Sequence, residues 1–196
     1  IIFFQNGLKT QVPIPYTMDF EKEISYNLYY SLNYKLLFIT YVKERFNGSD
    51  LILQIMRNDL SFDGPYFISE PALFTYCLNP KLYQTHETHK LEDGSKNTIQ
   101  FLHLIWWQEG ENEGAYYANI PITSNGISID LKTVIRLNDL ISSEVKLRTE
   151  ISPFLYEYPE IFIQEPNKNS LSLIFADLAS SSYVILDLVY KNNNDP

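Results

Sequence analysis

Three histidines, His86, His89 and His103, fall within one short stretch of the chain. Imidazole nitrogens together with a carboxylate form a ligand set suited to zinc or iron, and Glu87, Glu92 and Asp93 lie beside the first two. The order Thr85-His86-Glu87-Thr88-His89 is not the helical His-Glu-x-x-His of metalloproteases, because the second histidine comes too early. Residues i and i+3 converge on a helix but point to opposite faces of a strand. The stretch is polar and follows Pro80, so it reads as a solvated loop. His86 and His89 stand only as weak metal candidates, and no cofactor is expected. His103 sits within Phe101-Leu102-His103-Leu104-Ile105, which marks a hydrogen-bonded core histidine. A general base would need a nucleophile or carboxylate in reach, and spacing alone supplies none.

Other chemistry is sparse. The chain has no Gly-rich phosphate loop, no G-x-S-x-G elbow and no kinase-like motif. Cys77 is the single cysteine, set in the apolar run Leu73 to Leu78, with no basic residue close in sequence to activate a thiolate. It reads as a small core residue. Its isolation rules out an intrachain disulfide and favours an intracellular home. Asn47-Gly48-Ser49 matches the N-glycosylation acceptor, but it also reads as a turn.

Aromatic residues offer a more positive hint. Trp106-Trp107 precedes the acidic loop Glu109, Glu111, Glu113. Neighbouring strand residues face opposite ways, so one tryptophan is expected in the core and the other near the surface. Tyr29-Tyr30, Tyr116-Tyr117 and Tyr156 with Tyr158 should likewise divide between faces. Tyrosine hydroxyls need partners when buried, so some of these rings are expected on a contact surface. Trp106, Trp107, Tyr116 and Tyr117 are the candidate contact residues for a ligand or partner.

The elements that must hold these residues are strands. The chain has 196 residues, is 45% hydrophobic and carries fifteen tyrosines and twelve phenylalanines, enough for a large aromatic core. From Glu23 to Lys43, Ile24, Tyr26, Leu28 and Tyr30 alternate with polar residues, and the pattern resumes through Val42. Period two predicts strand; a long amphipathic helix is the rival reading, opposed by the density of Tyr, Ile and Thr. Further strands are expected over 50–56, 73–78, 98–107, 115–120, 126–131, 143–149, 160–164, 171–175 and 183–190. Asn125-Gly126 signals a hairpin, and 132–140 a short helix.

This spacing predicts a mostly-β fold, an antiparallel β-sandwich or barrel-like variant with at most one or two short helices. One domain over 1–190 and a frayed polar tail over 191–196 are expected. The net charge of −9 opposes nucleic acid as a partner. No apolar run is long enough to span a bilayer, so the domain is expected to be soluble. The start lacks Met and a signal peptide, which suggests a segment of a larger protein. The favoured function is a non-enzymatic module that binds a protein partner. A carbohydrate- or small-ligand-binding domain using surface aromatics is the alternative, and an enzyme with a site near His86, His89 and His103 comes third.

Overall fold

The computed structural model describes residues 2–5, 8–11, 25–70, 72–90, 93–94, 96–123, 126–139, 160–162, 170–177 and 182–189. The fold is mostly β. Strands β1 (Ile2–Gln5) and β2 (Leu8–Gln11) form an antiparallel hairpin. A nine-stranded sheet follows, built from β3 (Tyr26–Ser31), β4 (Leu36–Arg45), β5 (Gly48–Met56), β6 (Phe62–Phe67), β7 (Thr75–Lys90), β8 (Lys96–Gly110), β9 (Gly114–Thr123), β10 (Gly126–Ile127) and β11 (Thr133–Arg136). A third, antiparallel sheet holds β12 (Glu160–Phe162), β13 (Ser170–Asp177) and β14 (Ser182–Val189). Among the described residues no helix is long and apolar enough to cross a membrane.

The described part of the segment 23–43, from residue 25 on, is not helical. It splits into β3 and β4 around the turn at 32–35, and Tyr26, Leu28 and Tyr30 are exposed while Asn27 and Tyr29 turn inward. The sheet is mixed rather than purely antiparallel, and it is open. Strands β3 to β6 form one antiparallel meander, and β7 to β11 form another. Their ladders meet at one parallel pair, Gly48 with Thr75. The reason lies in β5, whose second edge is taken by β6 over Ile52 to Met56, leaving only its start for β7.

Several connections differ from the sequence reading. Strand β7 continues through 80–90, so this stretch is strand rather than loop; pairing to β8 outweighs its polar composition. The strand expected over 126–131 stops at Ile127, and a 3-10 turn takes Ile129–Leu131. Residues 132–139 do not form the expected α-helix. Thr133–Arg136 instead pair with β9 as β11, in keeping with three β-branched residues, and a 3-10 turn covers Leu137–Asp139. The expected strand 143–149, Tyr156, Tyr158 and the tail 191–196 lie outside the described residues.

One core cluster joins the two meanders. It takes Phe38 of β4, Leu51, Leu53 and Ile55 of β5, Leu102, Leu104 and Trp106 of β8, and Ala118, Ile120 and Ile122 of β9. Cys77 and Leu82 of β7, Leu36 of β4 and Ile68 also belong to it. Strand β3 lies beside β7 and is tied to it by side chains instead of a ladder. Ser25 Oγ accepts the Asn79 N–H at 3.0 Å, and Asn27 Oδ1 accepts the Leu82 N–H at 3.1 Å. The rings of Tyr29 and Tyr83 meet at 5.7 Å. On the opposite face of β4 and β5, Ile39, Tyr41, Ile52 and Met56 form a second buried cluster.

Candidate contact surface

His103 comes from the middle of β8 and is 1% exposed. Its Nε2 lies 2.6 Å from Thr85 Oγ1 and its Nδ1 lies 2.7 Å from the Tyr117 hydroxyl. A hydroxyl both donates and accepts, so the pair can serve either tautomer of a neutral ring. Burial pushes the His103 pKa down to about 3. A hydroxyl on Nε2 with a third group on Nδ1 has the layout of a nucleophile, base and orienting group. Here the base has little drive to accept a proton at neutral pH, and it is closed off from solvent. His103 is a core histidine. The backbone of His86 and His89 belongs to β7, opposite Gln100 and Asn97, while their side chains lie outside the described residues. Among the described residues, no group of three or more His, Cys, Asp or Glu is arranged to hold a metal ion.

The four aromatic candidates separate. Trp106 is 1% exposed and stacks on its cross-strand neighbour Tyr116, with centroids 5.5 Å apart and planes 21° apart. Its Nε1 has no hydrogen-bond partner. That omission costs about 1–3 kcal/mol, whereas burying a ring of roughly 150–250 Å² returns more at about 25 cal/mol per Å². Tyr117 is equally buried and committed to His103. Neither ring is placed to touch a partner. Tyr116 and Trp107 are half-buried, and the Tyr116 hydroxyl donates to the Asn112 carbonyl at 2.8 Å.

Three turns come together at one end of the sheet. The β4–β5 turn holds Phe46 and Asn47, the 72–74 turn holds Leu73 and Phe74, and the β8–β9 turn covers 111–113. The Phe74 N–H donates to the Asn47 carbonyl at 2.7 Å. Gly110 packs so tightly on the second turn that a Cβ there would lie 1.9 Å from the Phe74 carbonyl oxygen. Arg45 fastens the first turn to the second, through Asp50 at 3.0 Å and the Ala72 carbonyl. The third turn is held by Gln108 Nε2 on the Glu111 carbonyl and by Arg136 on the Glu113 carbonyl.

Several exposed apolar side chains are grouped at this end, whereas Leu32 (81% exposed) and Leu131 (66%) sit on other turns. Phe46 is 91% exposed, Leu73 63% and Phe74 60%, and Tyr76 at the start of β7 is also exposed. Phe74 adopts a φ of 57°, the left-handed region that bulky residues avoid. The chain thus holds a phenylalanine in a costly conformation with its ring in water. Glu109, Glu111 and Glu113 rim the same end. Burial and then the nearby Glu113 charge raise the Glu109 carboxyl above its usual range.

The sequence reading missed Phe46, Leu73 and Phe74. One clue was present: Phe46 immediately precedes Asn47-Gly48, and an aromatic inside a turn has no core to enter. Cys77 is fully buried, and burial raises its thiol pKa. Neither a protein-family model, nor a curated protein, nor a solved structure matches this chain.

Proposed function

We propose that this chain is a non-enzymatic protein-interaction module, built as a two-layer β-sandwich of the two meanders, with its contact surface at the three-turn end. One observation carries the reading: Phe46, Leu73 and Phe74 are held in water on turns that fasten one another. Scattered exposed apolar residues mean little, but a grouped set at interlocked loops is the kind of patch that partners cover. Phenylalanine and leucine dominate it, which suits a protein surface better than a sugar, whose recognition needs polar groups beside an aromatic platform.

The test compares partners captured by the wild-type chain with those captured by Phe46→Ser/Phe74→Ser. A specific partner should be retained by the first and lost by the second, while urea unfolding stays within about 0.5 kcal/mol for Phe46→Ser, as for other exposed positions. An identical captured set from both proteins refutes this surface. Carbohydrate binding is the second reading, supported by half-buried Trp107. It would show as glycan binding lost in Trp107→Ala.

A further inference from the structure

We propose that the three-turn end docks a protein segment presenting apolar side chains flanked by lysine or arginine. The inference rests on the interaction-module reading and adds the chemistry of the partner.

Charge supplies the argument. Glu109, Glu111 and Glu113 flank the exposed apolar group on the side of the β8–β9 hairpin, with Glu109 directly opposite Tyr76. The two guanidinium groups at this end are already engaged. Arg45 pairs with Asp50 at 3.0 Å, and Arg136 pairs with Asp139 at 3.1 Å while also donating to the Glu113 carbonyl. That hairpin therefore sets three carboxylates beside the apolar group, and neither guanidinium is paired with them. Glu109 and Glu113 also repel one another, and a partner cation placed between them relieves that repulsion. An anionic lipid surface meets a field of its own sign and is repelled.

Shape and rigidity agree. Four exposed side chains, Phe46, Leu73, Phe74 and Tyr76, offer on the order of 400–500 Å² when scaled from ring areas. That is over half of one side of a standard interface, about 800 Å² per partner. The turns are fixed before binding: Phe74 to Asn47, Gly110 against Phe74, Tyr116 to Asn112. A preorganised surface loses less conformational entropy when a partner arrives.

The experiment titrates the whole chain with a synthetic lysine–leucine amphipathic peptide and its glutamate–leucine counterpart, by fluorescence anisotropy. Four proteins are compared: wild type, Phe46→Ser/Phe74→Ser, Glu109→Gln/Glu111→Gln, and Asp59→Asn/Asp130→Asn. The last removes the same charge at exposed sites on other turns. The expected result is binding of the lysine peptide alone, weakened at least tenfold in each of the first two variants and less than threefold in the control. Equal weakening in the control reduces the effect to net acidity and overturns the proposal. Loss in the phenylalanine variant without loss in the glutamine variant leaves the contact surface standing and overturns the basic partner. Loss in neither overturns both. Binding to phosphatidylcholine vesicles that depends on Phe46 and Phe74, with no peptide binding, replaces the protein partner with a membrane and also overturns the proposal.

Discussion

Asn27 Oδ1 accepts the main-chain N–H of Leu82 at 3.1 Å, so a side chain of β3 takes the place that a neighbouring strand would fill on β7. The Leu82 side chain is buried in the shared core. Removing the acceptor strands a buried donor, which costs about 1–3 kcal/mol. Asn27→Ala should therefore lower the unfolding free energy in urea titrations by that amount, whereas Asn27→Asp, which keeps an acceptor, should lower it less. Equal loss in both variants would show that the amide is valued for something other than its oxygen.

His103 predicts an acid limb of stability. Its folded pKa is depressed, so its stabilising effect is complete above the ordinary value of 6.5 and is lost as pH falls towards about 3. In that window the unfolded chain takes up a proton that the native chain refuses. One such group changes stability by about 1.4 kcal/mol per pH unit. Unfolding measured from pH 7 to pH 4.5 should fall less steeply in His103→Gln than in wild type. The wild-type imidazole resonances should also stay at their neutral positions across that range.

Gly110 should tolerate no side chain. Its φ is 93°, and a Cβ would press on the Phe74 carbonyl at 1.9 Å. Main-chain atoms cannot swing aside as a flexible side chain can. Gly110→Ala should cost at least about 2 kcal/mol and separate the 72–74 turn from the β8–β9 turn. Amide shifts of Leu73 and Phe74 would report the separation, and unchanged shifts with unchanged stability would refute it.

The Glu109 carboxyl should titrate above the ordinary carboxylate range, first because of burial and then because of Glu113. A raised folded value means the native chain gains stability as pH falls through it and forgoes that stability at neutral pH. Glu113→Gln should bring the Glu109 midpoint part of the way down, as read by carboxyl carbon shifts. A midpoint that does not move assigns the effect to burial alone.

Strand character was legible wherever alternation was clean. Tyr26, Leu28 and Tyr30 against Asn27 and Tyr29 gave β3 its period but not its faces: the apolar-rich side is exposed, and Asn27 and Tyr29 turn inward towards β7. A strand buried on both sides, β8 over Leu102 to Trp106, was legible as an apolar run. The extension of β7 through Thr85 to Lys90 was not, because its pairing comes from β8 and its own residues carry no apolar pattern. Composition failed at 132–140 for a similar reason: β9 had a free edge for Thr133 to Arg136 to pair with. The doublets Trp106-Trp107 and Tyr116-Tyr117 were read as divided between faces, but which member faced the core depended on register. The three-turn end was beyond reach for a stronger reason. Phe46, Phe74 and Gly110 are far apart in sequence, and only the row Gly48, Thr75, Gly110 brings their turns together.

The single ladder pair between Gly48 and Thr75 has a consequence for how this fold comes apart. Parting the meanders breaks that pair and a few side-chain and turn bonds, yet it bares the whole cluster around Phe38, Leu53, Leu104 and Trp106. The cohesion of this seam therefore rests on apolar burial far more than on a ladder, and such cohesion weakens on cooling. Within each meander the hairpins keep their own hydrogen-bonded ladders. Near freezing, the seam is where the molecule should open first, into two sheets that remain internally paired.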